Sequence, residues 1–282
     1  MTTTSLLPPS AQLLEAACSR HATPCGDGEM IWRRWGQGAP VVLAHGGSGS
    51  WTHWIRQIPA LMQRYEVWAA DLPGLGASAM PAPPLTPQSC GAAMAEGLAS
   101  LIPRERRPRL VAFSFGAHVS TWALRQLGDH VDKFVITGCS ALGLRDPRDM
   151  PGLPKERSSM TAAERREVHR GVLAMLMFAD AARIDEQAVD LQAENVRQAR
   201  FRSREFAATA EVREGLAEIR VPVRAIWGEK DAVARPSVAA VFEVLSENHP
   251  ELIWRVIPGG GHWVMYEQPE AYTAALLEML EA

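Results

Sequence analysis

Short apolar runs recur along the chain, most of them spaced so that one helix fits between neighbours. They are Pro40–Ala44, Tyr65–Ala70, Arg109–Phe113, Lys133–Thr137, Val221–Trp227 and Leu252–Ile257. Pro40–Ala44, wholly apolar, reads as a strand buried on both faces, and the alternation of short strands with helices implies a parallel sheet. The intervening periodicity predicts helices near Thr52–Arg64, Ser89–Ile102, Gly116–Leu127, Pro236–Ser246 and Pro269–Leu280. Ahead of these, Gly26-Asp27-Gly28 separates His21–Cys25 from Glu29–Trp35, a hairpin signal. Residues 1–20 read as a loose leader and a short helix.

The alternation stops near Leu144. From there to Arg220 the chain is rich in Arg and Glu, with candidate helices at Thr161–Phe178, Asp185–Ala199 and Ser203–Leu216. The pattern predicts an α/β fold with a mostly parallel central sheet, helices on both faces and an inserted helical cap. The expected division is core 1–143, cap 144–220 and core 221–282, with no internal repeats. A length of 282 residues suits one such domain with an insertion.

Composition narrows the function classes. The formal net charge of −3 argues against nucleic acid and anionic membrane surfaces, which call for a basic face. Cys18, Cys25, Cys90 and Cys139 lack metal-ligand spacing and read as free thiols in a reducing compartment. The first residues carry no early Lys or Arg and no long apolar core, so no signal peptide is expected. No run is long enough to span a bilayer. The expectation is a cytoplasmic protein acting on a small molecule, without metal or cofactor. Homodimerisation is left open.

The candidate chemistry sits at the ends of the predicted strands. In Leu110-Val-Ala-Phe-Ser114-Phe-Gly116 a strand runs directly into a serine. A serine at so sharp a turn needs small residues two before and two after it, here Ala112 and Gly116. The turn lifts its hydroxyl above the sheet, making Ser114 a candidate nucleophile. The bland alternative is a helix-capping serine. His45-Gly46-Gly47-Ser48-Gly49 follows another buried strand. Its glycines let backbone N–H groups approach an oxyanion, with Gly47 and Phe115 as the expected donors. It lacks the Gly-Lys-Ser/Thr ending of a phosphate loop. His45 itself is expected to pack behind the loop. Asp231, just past Val221–Trp227, can orient an imidazole, with Glu229 as nearby competitor. His262 follows three glycines after the last strand. The order Ser, Asp, His, each after a strand, makes Ser114, His262 and Asp231 a candidate nucleophile, general base and orienting acid.

The segments HGGSGSWTHW, DLPGLGAS, AFSFGAH, WGEKD and GGGHWVMYEQPE resemble the α/β-hydrolase superfamily, in its cap-bearing branch. The resemblance runs from about residue 21 to the end and places Ser114, Asp231 and His262 on nucleophile, acid and base. It places Gly47 and Phe115 on the oxyanion hole. The usual Gly-x-Ser-x-Gly has Ala112 at its first glycine here. A serine at 114 separates the chain from haloalkane dehalogenases and epoxide hydrolases, which place Asp there. Carboxylesterases, meta-cleavage-product C–C hydrolases and cofactor-free perhydrolases remain. Trp263 and the HGG loop are similar to the C–C hydrolases, which hold an acidic dienone with a cap arginine. Arg197, Arg200, Arg202 and Arg204 are the candidates, against the bland reading of a solvated charged face.

Of Trp51, Trp54, Trp122, Trp227 and Trp263, the better pocket candidates are Trp51 and Trp263; core packing is expected for Trp122 and Trp227. Met175, Leu176, Met177 and Phe178 are expected to form a lid or a cap core, with Met177 facing substrate. The implied activity is hydrolysis of a carboxylic ester of a small apolar or aromatic substrate. The alternatives are C–C cleavage of a vinylogous diketo acid and a non-catalytic binding protein on the same fold.

Overall fold

The computed structural model describes residues 7–146, 148 and 152–282. Eight strands form one sheet: β1 (Ser19–Cys25), β2 (Gly28–Trp35), β3 (Ala39–Ala44), β4 (Tyr65–Ala70), β5 (Arg109–Phe113), β6 (Lys133–Thr137), β7 (Val223–Gly228) and β8 (Ile253–Ile257). Their order is β1-β2-β4-β3-β5-β6-β7-β8. The first hairpin and the β2–β4 pair are antiparallel, and every other pairing is parallel.

The apolar strands serve two cores because side chains alternate across the sheet. Val42, Ala44, Leu110, Ala112, Phe134 and Ile136 face one side. They pack with α3 (Pro87–Leu101), α4 (Phe115–Leu127) and α8 (Val238–Ser246). Val41, Leu43, Val111, Phe113 and Val135 face the other. That side is covered by α1 (Pro9–Ala17), α2 (Ile58–Leu61), α9 (Val264–Glu267) and α10 (Pro269–Glu281).

The expected single helix at Thr52–Arg64 is two pieces. A 3-10 turn, Trp51–Trp54, is capped by the Ser50 hydroxyl, and α2 is only four residues long. Pro59 brings no N–H and sits in the first turn of α2, where that loss costs nothing.

Between β6 and β7 the described residues form helices and loops and no strand. They form α5 (Ala162–Val172), α6 (Glu186–Gln198) and α7 (Glu211–Leu216). The expected helix Thr161–Phe178 begins on a capping box of Thr161 and Glu164 but widens into a π-helical turn at Leu173–Met177. The expected helix Ser203–Leu216 is also broken, into a 3-10 turn at Ser203–Phe206 and α7. Ala207 and Thr209 carbonyls there accept from the Ala141 and Gly143 N–H groups instead of continuing a helix. No helix among the described residues is long and apolar enough to cross a membrane.

Candidate active site

The loops after β5, β7 and β8 leave the sheet at the same edge, because these strands are parallel. In open α/β sheets this carboxyl edge is where ligands bind. Ser114 joins β5 to α4 with φ +51° and ψ −119°, a conformation rarely adopted by a non-glycine residue. Its N–H donates to the Thr137 carbonyl at 2.9 Å, which fixes the turn to β6. The neighbouring α4 backbone passes so close to β3 that a Cβ on Gly116 would stand 2.5 Å from the Ala44 oxygen. Glycine is therefore required there by space. Ser114 occupies the cap position of α4, yet its side chain makes no capping hydrogen bond.

That hydroxyl faces His262. Ser114 Oγ lies 3.1 Å from His262 Nε2, and His262 Nδ1 lies 2.9 Å from Asp231 Oδ1. An ionised carboxylate only accepts, so the Nδ1 proton belongs to the bond with Asp231 and Nε2 is free to accept from the serine. Asp231 and His262 are both buried. Asp231 Oδ1 also accepts from the Val233 N–H at 2.7 Å, while the cap of α8 is supplied by Ser237. Glu229 points elsewhere: it is exposed and accepts from the Gly259 N–H at 2.9 Å.

Ser114 and His262 open onto a cavity of about 1020 Å³ between the sheet edge and the helices of the β6–β7 segment. Gly46, Gly47 and Phe115 line its floor near Ser114, and Leu176 and Met177 line its roof. Among the described residues, neither the Gly47 nor the Phe115 N–H has a hydrogen-bond partner. No group of three or more His, Cys, Asp or Glu side chains among the described residues is placed to hold a metal ion.

Two aromatic expectations are corrected. Trp51 is buried and does not line the cavity; it packs on Trp35, and its N–H donates to Asp71. Trp263 is wholly buried; its indole N–H donates to the His53 carbonyl, and its ring stacks between His53, Phe178 and Tyr266. The Trp263 ring is held in the core by its indole N–H bond, whereas at Trp51 it is the backbone N–H that Asp71 fixes. Trp54 and Trp227 are core residues, and Trp122 lies under the Arg125 guanidinium. Of the four methionine-run residues, Leu176 and Met177 reach the cavity, Phe178 is buried and Met175 is exposed. Of the four arginine candidates, Arg197 and Arg204 line the cavity. Arg197 pairs with Glu194, while Arg200 is bonded to the Ser78 carbonyl and Arg202 is exposed beside Glu205.

Two residues without a sequence-based role support the loops. His53 accepts from the Gly46 N–H at 3.1 Å and stands edge-on to Phe113, so it holds the glycine loop against β5. Burial, then the neighbouring His45 and His262, drive its pKa well below the usual value, leaving it a neutral acceptor. Its signal was a second histidine within HGGSGSWTHW. His45 lies behind the loop, where its Nε2 accepts from the Leu72 N–H at 2.9 Å. Glu267 is buried and accepts from the N–H groups of Ala179, Asp180 and Gly261. It ties the end of the π-helical segment to the residue before His262. A Cβ on Gly261 would run into the Ala179 backbone nitrogen, which explains a glycine just before the histidine.

This fold and this edge are those of the alpha/beta hydrolase family, whose model matches residues 41–275, and the chain belongs to that family. It is similar to 2-hydroxy-6-oxo-6-phenylhexa-2,4-dienoate hydrolase of Burkholderia cepacia, with 24% identity covering 87% of this chain and 88% of the relative. It is also similar to pimeloyl-acyl-carrier-protein methyl ester esterase of Edwardsiella ictaluri (strain 93-146), with 26% identity covering 89% and 97%. Among solved structures, naproxen esterase (carboxylesterase NP) from Bacillus subtilis superimposes with a TM-score of 0.77 at 19% identity, covering 96% of this chain and 94% of that one. The homologues support hydrolase activity.

Proposed function

We propose that the chain is a serine hydrolase that cleaves a carboxylic ester of a small apolar or aromatic substrate through an acyl-enzyme. The observation that carries this reading is the run of hydrogen bonds Ser114 Oγ–His262 Nε2 and His262 Nδ1–Asp231 Oδ1, opening onto a cavity beside two unpartnered backbone N–H groups. His262 takes the serine proton as Ser114 attacks the ester carbonyl. The Gly47 and Phe115 amides receive the developing oxyanion, and His262 returns the proton to the leaving alcohol. Water then attacks the acyl-enzyme with His262 again as base. Asp231 keeps the Nδ1 proton in place and stabilises the imidazolium. The segment 144–220 acts as the cap over this cavity, with Met177 and Leu176 meeting the substrate's apolar part.

A fluorophosphonate probe tests the reading directly. The wild-type protein is expected to label at Ser114 and to hydrolyse p-nitrophenyl butyrate, and Ser114→Ala to lose both. Retained turnover in Ser114→Ala would falsify the nucleophile assignment. A second reading, C–C cleavage, is favoured by the similarity to the dienoate hydrolase. It predicts faster turnover of a ring-fission dienone than of any simple ester in the same assay.

A further inference from the structure

A second serine, histidine and carboxylate are aligned in the wall of the same cavity. His118 lies one helical turn beyond Ser114 on α4 and is buried, and its Nδ1 is 2.7 Å from Glu211 Oε1 at the start of α7. Its Nε2 is 3.0 Å from the hydroxyl of Ser140, in the loop after β6. Ser140 and His118 both line the cavity. The main-chain hydrogen bonds hold this group together. The Ala141 N–H donates to the Ala207 carbonyl, and the Val212 N–H donates back to the Ala141 carbonyl. Ala141 sits at φ +59°, a strained setting for a residue with a side chain. The Ser140 hydroxyl itself is oriented by its hydrogen bond to His118 Nε2.

This group resembles a catalytic triad in its bonds, but one feature separates it from Ser114. The amide that follows Ser114, on Phe115, is unpartnered among the described residues, whereas the amide that follows Ser140 is taken up by Ala207. A tetrahedral oxyanion at Ser140 would lack that donor. The arrangement therefore suits recognition rather than attack. Glu211 accepts only, so it holds the proton on His118 Nδ1, and Nε2 then accepts from the Ser140 hydroxyl. The lone pairs of Ser140 Oγ are left for a ligand donor in the cavity.

We propose that Ser140, oriented by His118 and Glu211, is a polar subsite that binds a hydroxyl group of the substrate on the part remote from the scissile bond. The true substrate is then a hydroxylated acyl or aryl compound rather than a plain hydrocarbon ester. The proposal rests on the reading of the Ser114 cavity as the substrate site. Ser140 is a binding residue, and His118 and Glu211 are positioning residues.

Calorimetry with Ser114→Ala protein separates the two readings, because it needs no turnover. The ligands are phenylacetate and its 2-, 3- and 4-hydroxy derivatives. At least one hydroxylated acid is expected to bind about tenfold tighter than phenylacetate, the worth of one good hydrogen bond. Ser114→Ala/Ser140→Ala is expected to lose that preference while binding phenylacetate unchanged, and Ser114→Ala/Ser140→Thr to keep it. A merely structural role would weaken all four ligands alike, and that outcome overturns the proposal. So does a panel without a hydroxyl preference, or without binding at all, or a preference that survives removal of the Ser140 hydroxyl. Failure of the wild-type protein to label with fluorophosphonate would instead strike the Ser114 reading.

Discussion

At the scale of single residues, what matters is where a side chain is held rather than which residue it is. Ser114 is held at positive φ with its hydroxyl uncommitted to the helix below it. The departure at Ala112 from the usual glycine is expected to be neutral for chemistry, because Ala112 lies in β5 facing the core. Ala112→Gly should leave the rate on p-nitrophenyl butyrate unchanged and lower stability by about 0.5–1 kcal/mol, the backbone-entropy cost of glycine in a strand. Urea melts and steady-state kinetics on one preparation check both. Asp231→Asn is expected to keep the fold but to lower kcat by roughly 10³–10⁴-fold with little change in KM, since an amide no longer fixes the Nδ1 proton. A loss confined to KM would show that Asp231 shapes the pocket instead. The order of Ser114, Asp231 and His262 was legible in the sequence because each lies in the loop after a strand, and parallel strands bring those loops to one edge. Trp51 and Trp263 were misplaced because loop sequence does not say which way a ring turns. That is decided by Asp71 fixing the Trp51 backbone and by the His53 carbonyl receiving the Trp263 indole.

At the scale of elements, the strands and the helix Asp185–Ala199 were legible almost to the residue, whereas the other two helices of the β6–β7 segment were not. A buried strand announces itself by composition. The π-helical turn at Leu173–Met177 and the break before α7 arise from long-range partners that periodicity cannot contain. Glu267 is one such partner. It accepts from Ala179, Asp180 and Gly261 at once, so one carboxylate sets both the end of the roof and the entry to His262. Removing it strands the buried Gly261 N–H, worth about 1–3 kcal/mol, and frees the half-buried Ala179 and exposed Asp180 N–H groups to water. Glu267→Ala is expected to lower stability by about 1–3 kcal/mol and, in the protein that folds, to lower kcat by about tenfold or more as the His262 loop relaxes. Glu267→Gln should recover part of the stability, because its amide oxygen still accepts but its NH2 group cannot. Thermal melts and kcat across the three proteins check the order wild type, Gln, Ala. A Gln variant no better than Ala would show that the charge, rather than the accepting geometry, holds the two loops together.

At the scale of the whole molecule, the site edge is built over buried neutral histidines, and this makes stability depend on acid. Burial pulls the His45 pKa down to about 4, against the pull of Asp71 in the other direction. His53 is lowered too, by burial first and then by the neighbouring His45 and His262. Asp71 is shifted in the same sense as a pH-linked group. Burial would raise its pKa, but Arg33 at 2.9 Å, His45 and the Ala77 and Trp51 amides hold it below the ordinary carboxylate range. In the unfolded chain a histidine titrates near 6.5. Between pH 6.5 and 4 the unfolded chain therefore binds a proton at position 45 that the folded protein refuses. Stability falls as pH drops through that window, and it is unaffected by His45 above it. For His45 alone the loss between pH 7.5 and pH 5 is about 2 kcal/mol, and His53 adds to it. Asp71 works in the same direction only at lower pH, where the unfolded chain takes up a proton at this carboxylate that the folded protein still refuses. Urea denaturation of the wild-type protein at pH 7.5 and pH 5 is expected to show at least this loss. His45→Gln, whose amide oxygen can still accept from the Leu72 N–H, should be less stable at neutral pH yet lose about 2 kcal/mol less on acidification. A pH dependence parallel to that of the wild-type protein would mean that His45 is hydrated or charged in the native state. The glycine loop would then rest on an open, solvated base, and the dry floor required by an oxyanion site would be lost with it.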